Sequence, residues 1–176
     1  MKSPFRLRAL TKRGHAAIRC SKGTTEAARL RVRPMQRSFP MANMKARYLG
    51  DLRVECTHLA SGTTIVTDAP VDNQGKGEAF SPTDLCATAL ASCAMTIIGI
   101  YAKQHDVDVT GTEISITKVM SANPRRIGKI EIVLDMPDRD YTDRQKAAIE
   151  HCADTCPVHL SLHPDVEQEF VFRWKR

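Results

Sequence analysis

The chain has 176 residues, of which 42% are hydrophobic, 26% charged and 5% aromatic. That length holds one domain with a real core, and the balance is that of a soluble globular protein. So few aromatics argue against the stacking platforms of single-strand nucleic-acid binders. The net charge of +6 misleads about partners, because residues 1–43 hold eleven Lys or Arg against one acid, Glu26. The rest of the chain is mildly acidic.

Residues 1–43 show no sustained apolar periodicity and lack the apolar stretch of a secretory signal. Three readings stand for this basic extension: an organelle transit peptide, an arm that binds nucleic acid, or a start codon placed too early, with Met41 and Met44 just ahead of the first strand-like run. Each predicts a disordered segment outside the folded domain, which is assigned to residues 44–176.

Residues 45–58 read as a hairpin with its turn at Gly50-Asp51, and 63–67 as a third strand. Residues 68–80 are a loop rich in Gly, Asp and Pro. Ser81 then starts the main helix, with Pro82 suited to the first helical position and Asp84 placed to reach back as a capping-box acid. No charge occurs from Leu85 to Ala102, near the lower limit for a membrane span. The run is rich in Ala, Ser, Thr and Cys rather than Leu and Phe, so it is read as a buried helix of a soluble protein. A helix apolar on every side needs cover on every side, which in a small domain calls for a partner subunit. Strands follow at 112–120 and 127–136, then a helix capped by Thr142, a helical turn after Cys156-Pro157, and a last strand from 166 to 174. The order βββ-α-ββ-α-(α)-β is an α+β pattern.

Six cysteines without a signal peptide, several in helical patterns, do not read as a secreted disulfide scaffold. A reducing, cytoplasmic setting is expected, although organelle import through residues 1–43 stays open. Cys93 lies in the middle of the uncharged helix, where a thiol serves either as a small apolar filler or as a reactive group. Cys86 precedes it by two turns, about 10 Å along a helix, beyond disulfide reach. Cys156 lies at a helix break before Pro157, where free amides favour a thiolate, or simply stops the preceding helix. His151, Cys152, Cys156 and His159 form a rival zinc-thiolate set, but their spacing matches no zinc signature. There is no GxGxxG, P-loop, HExxH or GxSxG motif, and no cofactor is expected.

SPTDLCATALASC at 81–93, with CPVHLSL at 156–162, resembles the OsmC/Ohr family of thiol-dependent peroxidases, in its OsmC-like branch. KARYLG, TIVTDAP and NPRRIGKI fit as well, so the resemblance covers roughly residues 44–174. It implies an α+β fold built as an intertwined homodimer, strands wrapping two central buried helices. It implies that Cys93 is the peroxidatic thiol and Cys156 the resolving one. The substrate would be an organic hydroperoxide and the reductant a dithiol, lipoyl or small-molecule in kind, with no nucleic acid or membrane involved. Family peroxidases support the thiolate with an Arg held by a Glu. Here Thr83 stands at the usual acid position and Asp84 one residue later, as thiolate support or only as a cap. Lys76, Arg125 and Arg126 are the candidate cations. The alternative is a non-catalytic relative that binds a small hydrophobic ligand in the dimer cleft.

Overall fold

The computed structural model describes residues 42–175. Residues 1–41 lie outside the described residues, and with them Cys20 and the readings of the basic extension, as does Arg176. Nine regular elements follow in chain order: β1 (Met44–Gly50), β2 (Arg53–His58), β3 (Thr64–Thr67), α1 (Pro82–Gln104), β4 (Glu113–Ala122), β5 (Arg125–Asp135), α2 (Asp143–Asp154), α3 (Pro157–Ser161) and β6 (Glu167–Arg173). A 3-10 turn at Val71–Asn73 interrupts the loop before α1. The fold is α+β, with one antiparallel sheet and one mixed sheet.

The first hairpin turns one residue later than its composition suggests. Asp51 and Leu52, not Gly50 and Asp51, occupy the two turn positions, both with positive φ (49° and 61°). This is the two-residue turn whose twist matches the flanking strands. The Tyr48 hydroxyl accepts the Leu52 amide at 3.2 Å, which helps hold Leu52 in a conformation that bulky residues avoid. The loop expected at 121–126 also shrinks to Asn123-Pro124, joined by a cis peptide bond, because β4 and β5 pair out to Ala122 and Arg125.

The core lies between the mixed sheet β4-β5-β6 and the helices α1 and α2. Strand alternation turns Ile130, Ile132 and Leu134 of β5 toward the helices, and all three are buried. On α1, Ala87, Leu90, Ala91, Ala94, Ile98 and Ala102 form the buried line. Phe170, Phe172 and Trp174 complete the same layer, as their shared strand face predicts. Ser81 and Asp84 cap α1 reciprocally and Thr142 and Gln145 cap α2 in the same way, each helix starting where the sequence marks it.

Among the described residues, two surfaces are left without cover. None of the core cluster comes from the β1-β2-β3 sheet. Its register puts Met44, Ala46, Tyr48, Val54, Cys56 and Ile65 on one face, and Met44, Tyr48 and Ile65 are exposed. On α1, Ala89, Ser92, Thr96 and Ile100 make an exposed stripe away from the mixed sheet.

Candidate functional site

Cys93 and Cys156 come together where α3 packs on α1. The two thiols are neighbours, close enough for Cys93 to act on the ionisation of Cys156, and both are free. Cys93 is half-buried, between the exposed stripe of α1 and the side that meets α3. Cys156 is completely buried. It is the N-cap of α3: its extended backbone ends one helix at Thr155, Pro157 opens the next, and its sulfur accepts the His159 amide at 3.3 Å. Burial pushes the Cys156 thiol above its ordinary value, the adjacent Cys93 adds to the push, and the His159 amide opposes it. Neighbouring thiols of this kind can form a disulfide with each other once their sulfurs turn together.

The other described thiols lie on different elements or different turns. Cys86 is on α1 two turns earlier, and Cys56 is on β2. Cys152, on α2, is half-buried, and burial raises its thiol as well. His151 is exposed, and among the described residues no group of three His, Cys, Asp or Glu is placed to hold a metal.

Asp84 acts as the cap that the sequence suggests and also forms an ion pair that the sequence reading missed. Its carboxylate accepts the Ser81 amide at 2.8 Å and the Lys118 ammonium at 2.7 Å. Lys118 also donates to Thr83 Oγ1 at 2.8 Å and to Ser81 Oγ at 3.4 Å, and its side chain is only 16% exposed. Burial alone would raise the Asp84 carboxyl, but hydrogen bonds from Lys118 and Ser81 outweigh it and hold the group below its ordinary value. A signal for Lys118 exists in the strand pattern. Ile114, Ile116, Lys118 and Met120 alternate on one face of β4, so a charge stands at an inward position and needs a carboxylate.

Asp84 and Cys93 are about 13 Å apart along the helix axis and half a turn out of phase. The Lys118–Asp84 pair therefore does not touch the thiol of the same chain. It borders a separate groove of about 650 Å³, lined by Phe80, Ala87 and Ile116 among others. Arg53, also absent from the sequence reading, holds the wall of that groove. It donates to the buried Asp68 at 3.3 Å and pairs with Glu78, whose amide donates to Asp68 at 3.0 Å. The cations named from the sequence are surface groups paired elsewhere: Lys76 with Asp51 (3.7 Å), Arg125 with Asp72 (3.0 Å) and Arg126 with Asp165 (3.5 Å).

Residues 75–170 match the model of the OsmC-like protein family. Among solved structures, an osmotic stress induced and detoxification response protein of Psychrobacter arcticus is 48% identical, with a TM-score of 0.74 over 77% of this chain and 98% of that one. An OsmC-like protein of Mycoplasma pneumoniae is 16% identical, with a TM-score of 0.64 over 76% and 96% of the two chains. An organic hydroperoxide resistance protein OsmC of Legionella pneumophila is 18% identical, with a TM-score of 0.58 over 73% and 93%. These last two likenesses carry the fold alone. No curated protein matches the chain. The family match covers both cysteine motifs and the helices that bring them together, and the chain belongs to the OsmC-like protein family.

Proposed function

We propose that this chain is a thiol peroxidase that reduces organic hydroperoxides through a Cys93–Cys156 dithiol/disulfide cycle. The observation that carries the reading is the proximity of the two thiols, one half-exposed and one buried. The detoxification role in the name of the half-identical Psychrobacter protein agrees with it.

The cycle balances as follows. The Cys93 thiolate attacks the peroxide, forming an S–O bond as the O–O bond breaks; the alkoxide takes a proton and leaves as alcohol, and Cys93 becomes a sulfenic acid. The Cys156 thiolate attacks the Cys93 sulfur, forming the S–S bond, and hydroxide takes a proton and leaves as water. A dithiol donor returns two electrons and two protons and becomes a disulfide itself. The half-exposed Cys93 is the thiol a peroxide can reach, and the buried Cys156 is the one that waits for it.

The functional unit in this reading is a homodimer. The exposed stripe of α1 and the apolar face of the β1-β2-β3 sheet both need cover, and a second copy supplies it. The groove beside Lys118 favours the second reading, a carrier of a small apolar ligand. Thiol titration separates the two. One equivalent of cumene hydroperoxide should consume two thiols per chain in the native protein and none in Cys93→Ser. Unchanged thiols, with the ligand held tightly, would leave only the carrier.

A further inference from the structure

The sulfur that closes the disulfide is also the cap of a helix. Helix α3 is one short turn, Pro157–Ser161, with no fully buried residue, and Leu160 is 72% exposed. A helix this short has no stability of its own and depends on its attachments. Val158 and Leu162 pack against the core. Two polar ties hold its middle, both at His159: the amide donates to Cys156 Sγ at 3.3 Å, and the carbonyl accepts from Gln168 Nε2 at 3.2 Å. The ring of His159 lies 6.1 Å from that of Phe170, centroid to centroid.

We propose that α3 is a redox-gated cover: the Cys156 sulfur caps it in the dithiol state, and joining that sulfur to Cys93 withdraws the cap and loosens residues 157–162. This rests on the dithiol reading above. To bond with Cys93, the Cys156 sulfur must turn toward α1. That turn carries the sulfur away from the His159 amide, which loses its partner. The closed position is already poised. His159 Nδ1 and Gln168 Oε1 are buried there with no hydrogen-bond partner among the described residues, and opening lets water reach them. The device serves the cycle, because opening α3 adds the buried Cys156 sulfur to the half-exposed Cys93 sulfur as a point that a dithiol reductant can attack. Loosening α3 opens that path only after the disulfide has formed.

Amide hydrogen exchange on the full chain tests this. The disulfide is made with diamide, an oxidant that takes two electrons and two protons from the thiol pair, so the test does not depend on peroxidase activity. The amides of His159, Leu160 and Leu162 should exchange about fivefold faster in the disulfide form, the equivalent of losing an N-cap worth about 1 kcal/mol. The amide of Lys146 in α2 should not change. Cys93→Ser treated with diamide should keep the slow exchange, because its Cys156 has no Cys93 sulfur to join. A diamide-made Cys93–Cys156 disulfide with unchanged or slower α3 exchange overturns the proposal, as does equal acceleration in Cys93→Ser. If hydroperoxide fails where diamide succeeds, the peroxidase reading falls and the cover stands. If no oxidant joins the two sulfurs, both fall.

Discussion

Raising the pH should speed disulfide closure in this protein well past neutrality. The step requires Cys156 as thiolate. Burial and the neighbouring Cys93 together hold that thiol above its ordinary value of 9.0, even with the His159 amide opposing. At pH 7 less than about 1% of Cys156 is then ionised. Closure should climb about tenfold per pH unit from 6 to 8 and still be rising at pH 9. The assay is a single turnover with one equivalent of cumene hydroperoxide, quenched with a 1,3-diketone that traps sulfenic acid and read by mass. Trapped sulfenate at Cys93 should be abundant at pH 6 and scarce at pH 9. A closure rate that levels off below pH 8 would refute the reasoning, because it would mean that the fold stabilises the Cys156 thiolate. The same shift acts on stability. The folded state holds the Cys156 proton more tightly than the unfolded chain, so this contribution is fully present below pH 9.0 and is lost as pH rises through the higher folded value.

Lys118→Met should cost about 1–2 kcal/mol in urea unfolding at pH 7, a charge-assisted hydrogen bond discounted for the exposed side of Asp84. The Asp84 carboxyl is held below its ordinary value of 3.8, so the difference from native protein should shrink as pH falls through that lower folded value; a constant difference would deny the pair its role. Leu90→Ala removes a fully buried side chain from the α1 core line and should cost about 3–5 kcal/mol, measured by the same unfolding. Ile100→Asp places a charge on the exposed α1 stripe and should convert a dimer to a monomer in light scattering; an unchanged mass would put the interface elsewhere.

Much of the local structure is written in neighbouring residues. Ser81-Pro82 with Asp84, and Thr142 with Gln145, start their helices because the groups that satisfy the first amides sit three positions away. Cys156-Pro157 marks a helix boundary for the same reason: a side-chain acceptor stands before a residue that lacks an amide proton. The order of strands and helices follows from hydrophobic periodicity, and the cysteine motifs carry the family. The one-residue error at the first hairpin arose where composition favoured Gly50 and twist favoured Asp51-Leu52.

Contacts between distant segments were not legible in this way. Lys118 meets Asp84 only because β4 pairs with β5 and lays its inward face on the first turn of α1. Arg53, Asp68 and Glu78 meet because β2 pairs with β3, and the loop beyond β3 turns back on the strand. The sequence alone determined where helices begin and which faces are apolar, since each depends on residues within a turn or two, while the choice of thiol pair came from the resemblance its two motifs carry. Only the tertiary structure decided that the Cys156 sulfur lies beside Cys93 while capping α3, and that Lys118 is the partner of Asp84. Those facts depend on how α3 and β4 pack on α1, and that packing is set by the core rather than by any one segment.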